Sequence, residues 1–326
     1  MRSSVVIGLS AVIVAVREGE AMVLTLRPHG GSGGALASLP FGPFDPDGHR
    51  TFELALRAFV TAQTRFELGY VEQLYTFGDK GRDAPLADLG DGAGRTRVIS
   101  VGYLALTPAA VDTDAPDSEW SAWSRFFPWE DWRAGRPPAL APIEEALTAW
   151  AQSGPSGLCA ERQARARSAF ALDDLPWNED RVLERYELLY EAGLVQEAAR
   201  DRGEAALTIS DELRAALGEP MISDHRRILA TAASRLRGKL KYRPIVFQLM
   251  PEAFTLSALQ RTVEAIAGVP LHKQNFRRAL ERANIVEGLG RVDADTGGRP
   301  AELFRVRREQ LASRPALGLP LPLLRD

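Results

Sequence analysis

The C-terminal third restricts the fold most, because its apolar residues repeat with a helical period, stop at a glycine, and repeat again. Thr255 can cap a helix over residues 256–267, with Leu256, Leu259, Val263 and Ile266 on one face. Gly268 ends that helix, the four residues 268–271 turn, and a second helix over 272–283 places Phe276, Leu280 and Ala283 on its inner side. Lys273, Gln274, Arg277 and Arg278 are then left outward. Residues 285–287 and 303–306 read as strands flanking a polar, glycine-rich tip at 295–300, which predicts a hairpin. Helix, turn, helix and hairpin in this order can lay one helix in a major groove and the hairpin beside the phosphates. The expected DNA contacts are Thr255, His272, Lys273, Gln274, Asn275, Arg277, Arg278, Arg299 and Arg305.

Charge follows the same division. Residues 226–310 carry 17 Lys and Arg against 8 Asp and Glu, whereas the remainder carries 23 against 35. The basic part calls for a polyanionic partner, and the formal net charge of −3 conceals it. A chain of 326 residues is long for one core and predicts two domains with connecting material. No window approaches the roughly 20 apolar residues of a membrane span. The run at 5–16 is β-branched, lacks a small-residue cleavage site and leads into another apolar stretch, so it reads as a first strand and not a secretory leader. Cys159 is single, and His29, His49, His225 and His272 show no metal-ligand spacing, which suits a reducing cytoplasm and no metal site.

The N-terminal part alternates strands (4–16, 21–27), a glycine-rich loop (30–34), a helix (52–66) and further strands (69–76, 97–106), a mixed α/β pattern. Residues 111–180 change texture and hold Trp120, Trp123, Phe126, Phe127, Trp129 and Trp132. Such rings are buried somewhere: in an inserted segment packed on the preceding domain, at a dimer surface, or in an effector lid. Helices are expected at 143–152, 158–170, 178–192, 210–217 and 224–240.

From Gly48 the chain can be laid against the Nudix signature. Gly48, Glu67, Gly69 and Tyr70 fall in register, but Leu54, Ala62, Gln63 and Phe66 stand where the first Glu, the Arg, the next Glu and one of the paired Glu residues belong. Nudix hydrolysis needs several carboxylates on one helix face to hold Mg²⁺, and Leu54 and Phe66 offer no oxygen. The segments 71–83 and 97–106, with 225–251 as linker helix and leading strand, resemble the Nudix-related (NrtR-like) transcriptional regulators of NAD metabolism. The run Phe126, Phe127, Pro128, Trp129, Glu130, Asp131, Trp132, Arg133 is similar to their NadQ-type subgroup, repressors of de novo NAD synthesis.

The resemblance implies a Nudix-like α/β/α sandwich, a helical linker and a C-terminal winged helix-turn-helix, an α/β plus α+β chain with boundaries expected at 1–110, 111–223 and 224–326. It implies a homodimer on double-stranded operator DNA, with NAD or ATP as effector and no catalytic cofactor. Matching positions expected to line the effector pocket are Arg57, Glu67, Gln73, Tyr75, Phe77, Asp79 and Arg82. Arg82 suits a phosphate, while Tyr75 and Phe77 either stack on a base or alternate into a strand's core. Two rivals stand beside this reading: an active hydrolase of ADP-ribose or NADH, and a nucleotide-sensing adaptor whose winged helix contacts protein.

Overall fold

The computed structural model describes residues 4–27, 36–79, 96–108, 115–204, 207–293, 300–307 and 309. Its first sheet is built on the long strand β1 (Ser4–Arg17), whose alternate residues are buried on both faces. Burial on both faces explains a near-continuous apolar, β-branched sequence. β1 runs parallel to β5 (Thr96–Leu106). Along its other edge it pairs antiparallel first with the short β3 (Phe41–Pro43), then with β2 (Glu20–Leu26). β4 (Tyr70–Phe77) and β6 (Ser118–Ala122) extend the sheet, giving the order β4-β5-β1-β2-β6. β3 and β6 are too short to carry a readable alternation and were not expected from sequence.

Helix α1 (Phe52–Thr64) covers one face, packing Ala55, Leu56 and Val60 on Leu9, Ala11, Ile13, Val101 and Tyr103. Against the expectation of a helix to residue 66, it ends at Thr64. The Thr64 hydroxyl donates back to Val60 O and accepts from Phe66 N, and Arg65 turns left-handed with φ 55°. A side chain that competes for backbone groups in this way closes a helix.

The opposite face meets helices and then the C-terminal domain in one continuous core. Chain order there is α2 (Leu140–Gln152), α3 (Ser156–Phe170), α4 (Val182–Glu191), α5 (Gln196–Asp201), α6 (Asp211–Ala216) and α7 (His225–Tyr242). Phe126, Phe127 and Trp129 are fully buried among them, with Phe127 edge-on to Trp129 and Tyr186. The aromatic run is therefore interior packing of this chain. Residues 245–249, expected as a leading strand, form a 3-10 turn after Pro244, whose ring presets φ and whose carbonyl accepts from Phe247 N. The second sheet has the order β7-β9-β8, from β7 (Phe254–Thr255), β8 (Val286–Asp293) and β9 (Ala301–Val306), with α8 (Leu256–Ala267) and α9 (Lys273–Ala283) packed beside it. Among the described residues no helix is long and apolar enough to cross a membrane.

His225 opens α7 in the interior, where its Nδ1 accepts the Leu39 amide at 3.0 Å and its ring meets Phe41 edge-on. Burial, reinforced by nearby Arg200, pushes its pKa down to about 3. The unfolded chain binds a proton below about pH 6.5 that the folded chain refuses, so this residue's contribution is present above that pH and is lost on acidification toward 3. At pH 5 the loss is about 2 kcal/mol. We expect His225→Asn, which keeps an acceptor for Leu39, to lose less melting temperature between pH 7 and pH 5 than the natural protein, by about 3 °C. Equal losses refute it.

Candidate nucleic-acid interface

Helix α9 is anchored by Phe276, Ala279, Leu280 and Ala283, all buried, which fixes the rotation of the helix. That rotation sends His272, Lys273, Gln274, Asn275, Arg277 and Arg278 to solvent. Six of the nine expected DNA contacts thus share one exposed helical face. Arg282, which sequence reasoning passed over, extends the same side, its Nε donating to Arg278 O. Among the described residues no carboxylate pairs with Lys273, Arg277 or Arg278, so cations and amides on this face are free for an external acceptor. Arg305 on β9 is exposed but paired with Glu287 at 2.6 Å. Arg299 lies outside the described residues. Thr255 is a correction: it is buried, and its hydroxyl caps α8 by accepting from Ala258 N at 3.1 Å. A capping hydroxyl held in this way is turned away from a groove.

The Nudix-like half spends its signature positions on structure. Gln63 clamps β3, its Oε1 accepting from Phe41 N at 3.2 Å and its Nε2 donating to Phe41 O at 2.7 Å. Phe66 packs edge-on against Trp120 of β6, and Leu54 is half exposed. Glu53 is paired with Arg57, whose guanidinium also donates to Leu68 O and Gly69 O and so pins the loop after α1. The donors left do not fit a divalent cation: one carboxylate is paired with an arginine, and Glu67 is an exposed residue of the loop beyond the helix and not on it.

The expected effector residues are divided by the sheet. Arg57 and Glu67 lie on the α1 side, as does Gln73, which pairs opposite Tyr103. A bulge between Gln73 and Tyr75 re-aims β4, so Tyr75 and Phe77 face α7, their rings edge-on at 5.4 Å. Asp79 is ion-paired with Arg227 of α7. Arg82 lies outside the described residues.

Residues 246–306 match the family of the NrtR DNA-binding winged helix domain. They form an NrtR-type winged helix. Over 96% of its length the chain is similar to 98% of NrtR of Shewanella oneidensis, crystallised with a 27mer DNA, at TM-score 0.52 and 20% identity. It is similar also to a MutT/nudix family protein of Enterococcus faecalis, over 94% of this chain and 88% of that one, at TM-score 0.52 and 14% identity. These likenesses show the fold, which is Nudix-like ahead of the NrtR-type winged helix. A segment of 93 residues, 28% of the chain, is 38% identical to a protein of Acinetobacter baylyi named "ADPR responsive transcriptional repressor NtrR". The chain spans 37% of the length of that curated relative.

The NrtR-type winged helix is joined to the sheet domain through a buried charge cluster that sequence reasoning missed. Glu130, 2% exposed, accepts from Arg185 of α4 and Arg237 of α7, both fully buried. Arg237 further donates to Ile266 O at the end of α8, at 2.9 Å, and to Glu179 O at 3.1 Å, while the Arg185 guanidinium carbon sits over the Trp177 ring, 3.8 Å from its centroid. Gly268 closes α8 at φ 71°, and a Cβ there would stand 2.3 Å from Glu130 O, so glycine is required both by conformation and by space. The one legible trace of this cluster was an acid set inside an aromatic run.

Proposed function

We propose that the chain is a transcriptional repressor of NAD biosynthesis genes, in which the NrtR-type winged helix binds operator DNA and the Nudix-like half binds a nucleotide that changes that affinity. One observation carries it: the exposed face of α9 presents Lys273, Gln274, Asn275, Arg277 and Arg278 with no acid among the described residues paired to its cations. A winged helix used on protein surfaces has no need of so many uncompensated donors, whereas phosphates and base edges do. The effector is proposed to be an adenine nucleotide, ADP-ribose, NAD or ATP, because the Acinetobacter relative is named for its response to ADPR. A homodimer placing two α9 helices on half-sites about one helical turn apart belongs to the same reading, as does a cytoplasmic location.

The Nudix-like half is proposed to bind its nucleotide without hydrolysing it, since Leu54, Gln63 and Phe66 replace oxygen ligands. Incubation of the purified protein with ADP-ribose or NADH and Mg²⁺ is expected to leave both intact, and catalytic turnover to AMP overturns this part. The whole reading is tested by fluorescence anisotropy on a duplex selected from a random pool. Binding is expected to weaken steeply with salt and to shift with one of ADP-ribose, NAD or ATP, and salt-independent or absent DNA binding refutes it.

A further inference from the structure

Between β4 and α7 the surface opens into a cleft of about 490 Å³, inside the size range of small-molecule sites. Its walls carry chemistry that packing does not explain. Tyr75 from the strand and Tyr242 from the helix both line it while 59% and 50% exposed. Large rings left in water at the rim of a concave site are suited to stacking on a planar ligand. Thr231 and Ser234 of α7 also line the cleft. Each donates its proton to a backbone carbonyl, Arg227 O and Asp180 O respectively, so its oxygen lone pairs remain available to ligand hydroxyls.

The cations of the cleft differ in kind. Arg227 is committed to Asp79, Glu187 and Asp224, and so belongs to the wall. Arg235 is exposed, has no carboxylate partner among the described residues, and makes only a long 3.4 Å contact to Leu74 O. A guanidinium so placed matches a phosphate. Gly238 supplies the space. It lies inside α7, where glycine costs about 1 kcal/mol relative to alanine, yet a Cβ there would meet nothing within 4 Å. No backbone strain and no close neighbour demands it, and the open cleft it lines accounts for it.

We infer that this cleft is the effector site, and that it takes a nucleoside phosphate, with the base against Tyr75 and Tyr242, sugar hydroxyls near Thr231 and Ser234, and phosphate on Arg235. The inference rests on the proposed nucleotide response and places it on α7, away from the Nudix helix. It also supplies a route outward. Gly238 is the neighbour in sequence of Arg237, which reaches Glu130 and the last turn of α8, so a ligand seated against α7 presses on the helix that holds the winged helix in place.

The test uses the full-length chain, with calorimetric titration of ADP-ribose, NAD, ATP and adenosine. Gly238→Met introduces a good helix former into open space and is expected to fold, to raise the melting temperature slightly, and to lose at least tenfold in nucleotide affinity. Arg235→Glu is expected to lose at least tenfold for the phosphate-bearing ligands and to leave adenosine binding unchanged. Nucleotide binding by the natural protein that survives undiminished in both variants overturns the cleft assignment and leaves the proposed function standing. No binding of any of the three nucleotides to the natural protein at millimolar concentration overturns both.

Discussion

Glu130→Gln is expected to destabilise the folded chain by about 3–5 kcal/mol, because it removes the only acid accepting from two fully buried guanidiniums, Arg185 and Arg237, among the described residues. Coulomb attraction and hydrogen bonding to Glu130 offset the cost of taking two arginines out of water. A neutral amide returns one acceptor oxygen in place of two charged ones. In a chain of 326 residues a loss of 3–5 kcal/mol lowers the melting temperature by roughly 4–7 °C. Glu130→Leu combined with Arg185→Met is expected to be less damaging than Glu130→Leu alone, since the orphaned charge rather than the missing bridge carries most of the cost. Thermal unfolding followed by circular dichroism reads both. A Glu130→Gln protein within 1 kcal/mol of the natural one would mean that the cluster is hydrated and not sealed. Because Arg237 also donates to Ile266 O, the same substitution loosens α8, and DNA affinity is expected to fall further than partial unfolding alone predicts.

The sequence made the long elements legible for a simple reason: each carries a repeat that only one period satisfies. The β-branched run of β1 and the Leu259, Val263, Ile266 stripe of α8 are examples, and the spacing of Phe276 and Leu280 by itself sets the outward face of α9. Where a residue's role depends on a partner distant in sequence, periodicity is silent. Arg57 looks like a ligand-binding arginine on a helix but is held by Glu53 and two loop carbonyls. Tyr75 and Gln73 lie two apart on one strand and would share a face but for the bulge between them. Thr255 was correctly read as a cap, and that same reading removes it from the DNA surface. The cleft needed β4 and α7 side by side, some 160 residues apart in the chain, so Arg235 and Gly238 gave no sign in the sequence.

Replacing Lys273, Arg277 and Arg278 by alanine is expected to abolish most DNA affinity with little effect on stability. All three are exposed and pair with no carboxylate among the described residues, and substitutions of that kind usually stay within about 0.5 kcal/mol. On DNA each cation that meets a phosphate displaces a condensed counterion, so removing it lowers the slope of log affinity against log salt by about 0.9. The triple variant is expected to lose between one and three such increments, according to how many of the three meet phosphate and how many meet a guanine edge. Gln274→Ala and Asn275→Ala separate those roles. An amide that reads adenine gives about 1–3 kcal/mol of discrimination, so these variants should bind the selected duplex more weakly while keeping their salt slope and their affinity for random duplex. Arg305→Ala supplies the internal contrast. Its guanidinium is already paired with Glu287, and its loss should change the slope less than any one of the three α9 cations does. A triple variant that binds DNA as well as the natural protein at every salt concentration would show that α9 is not the helix that enters the groove.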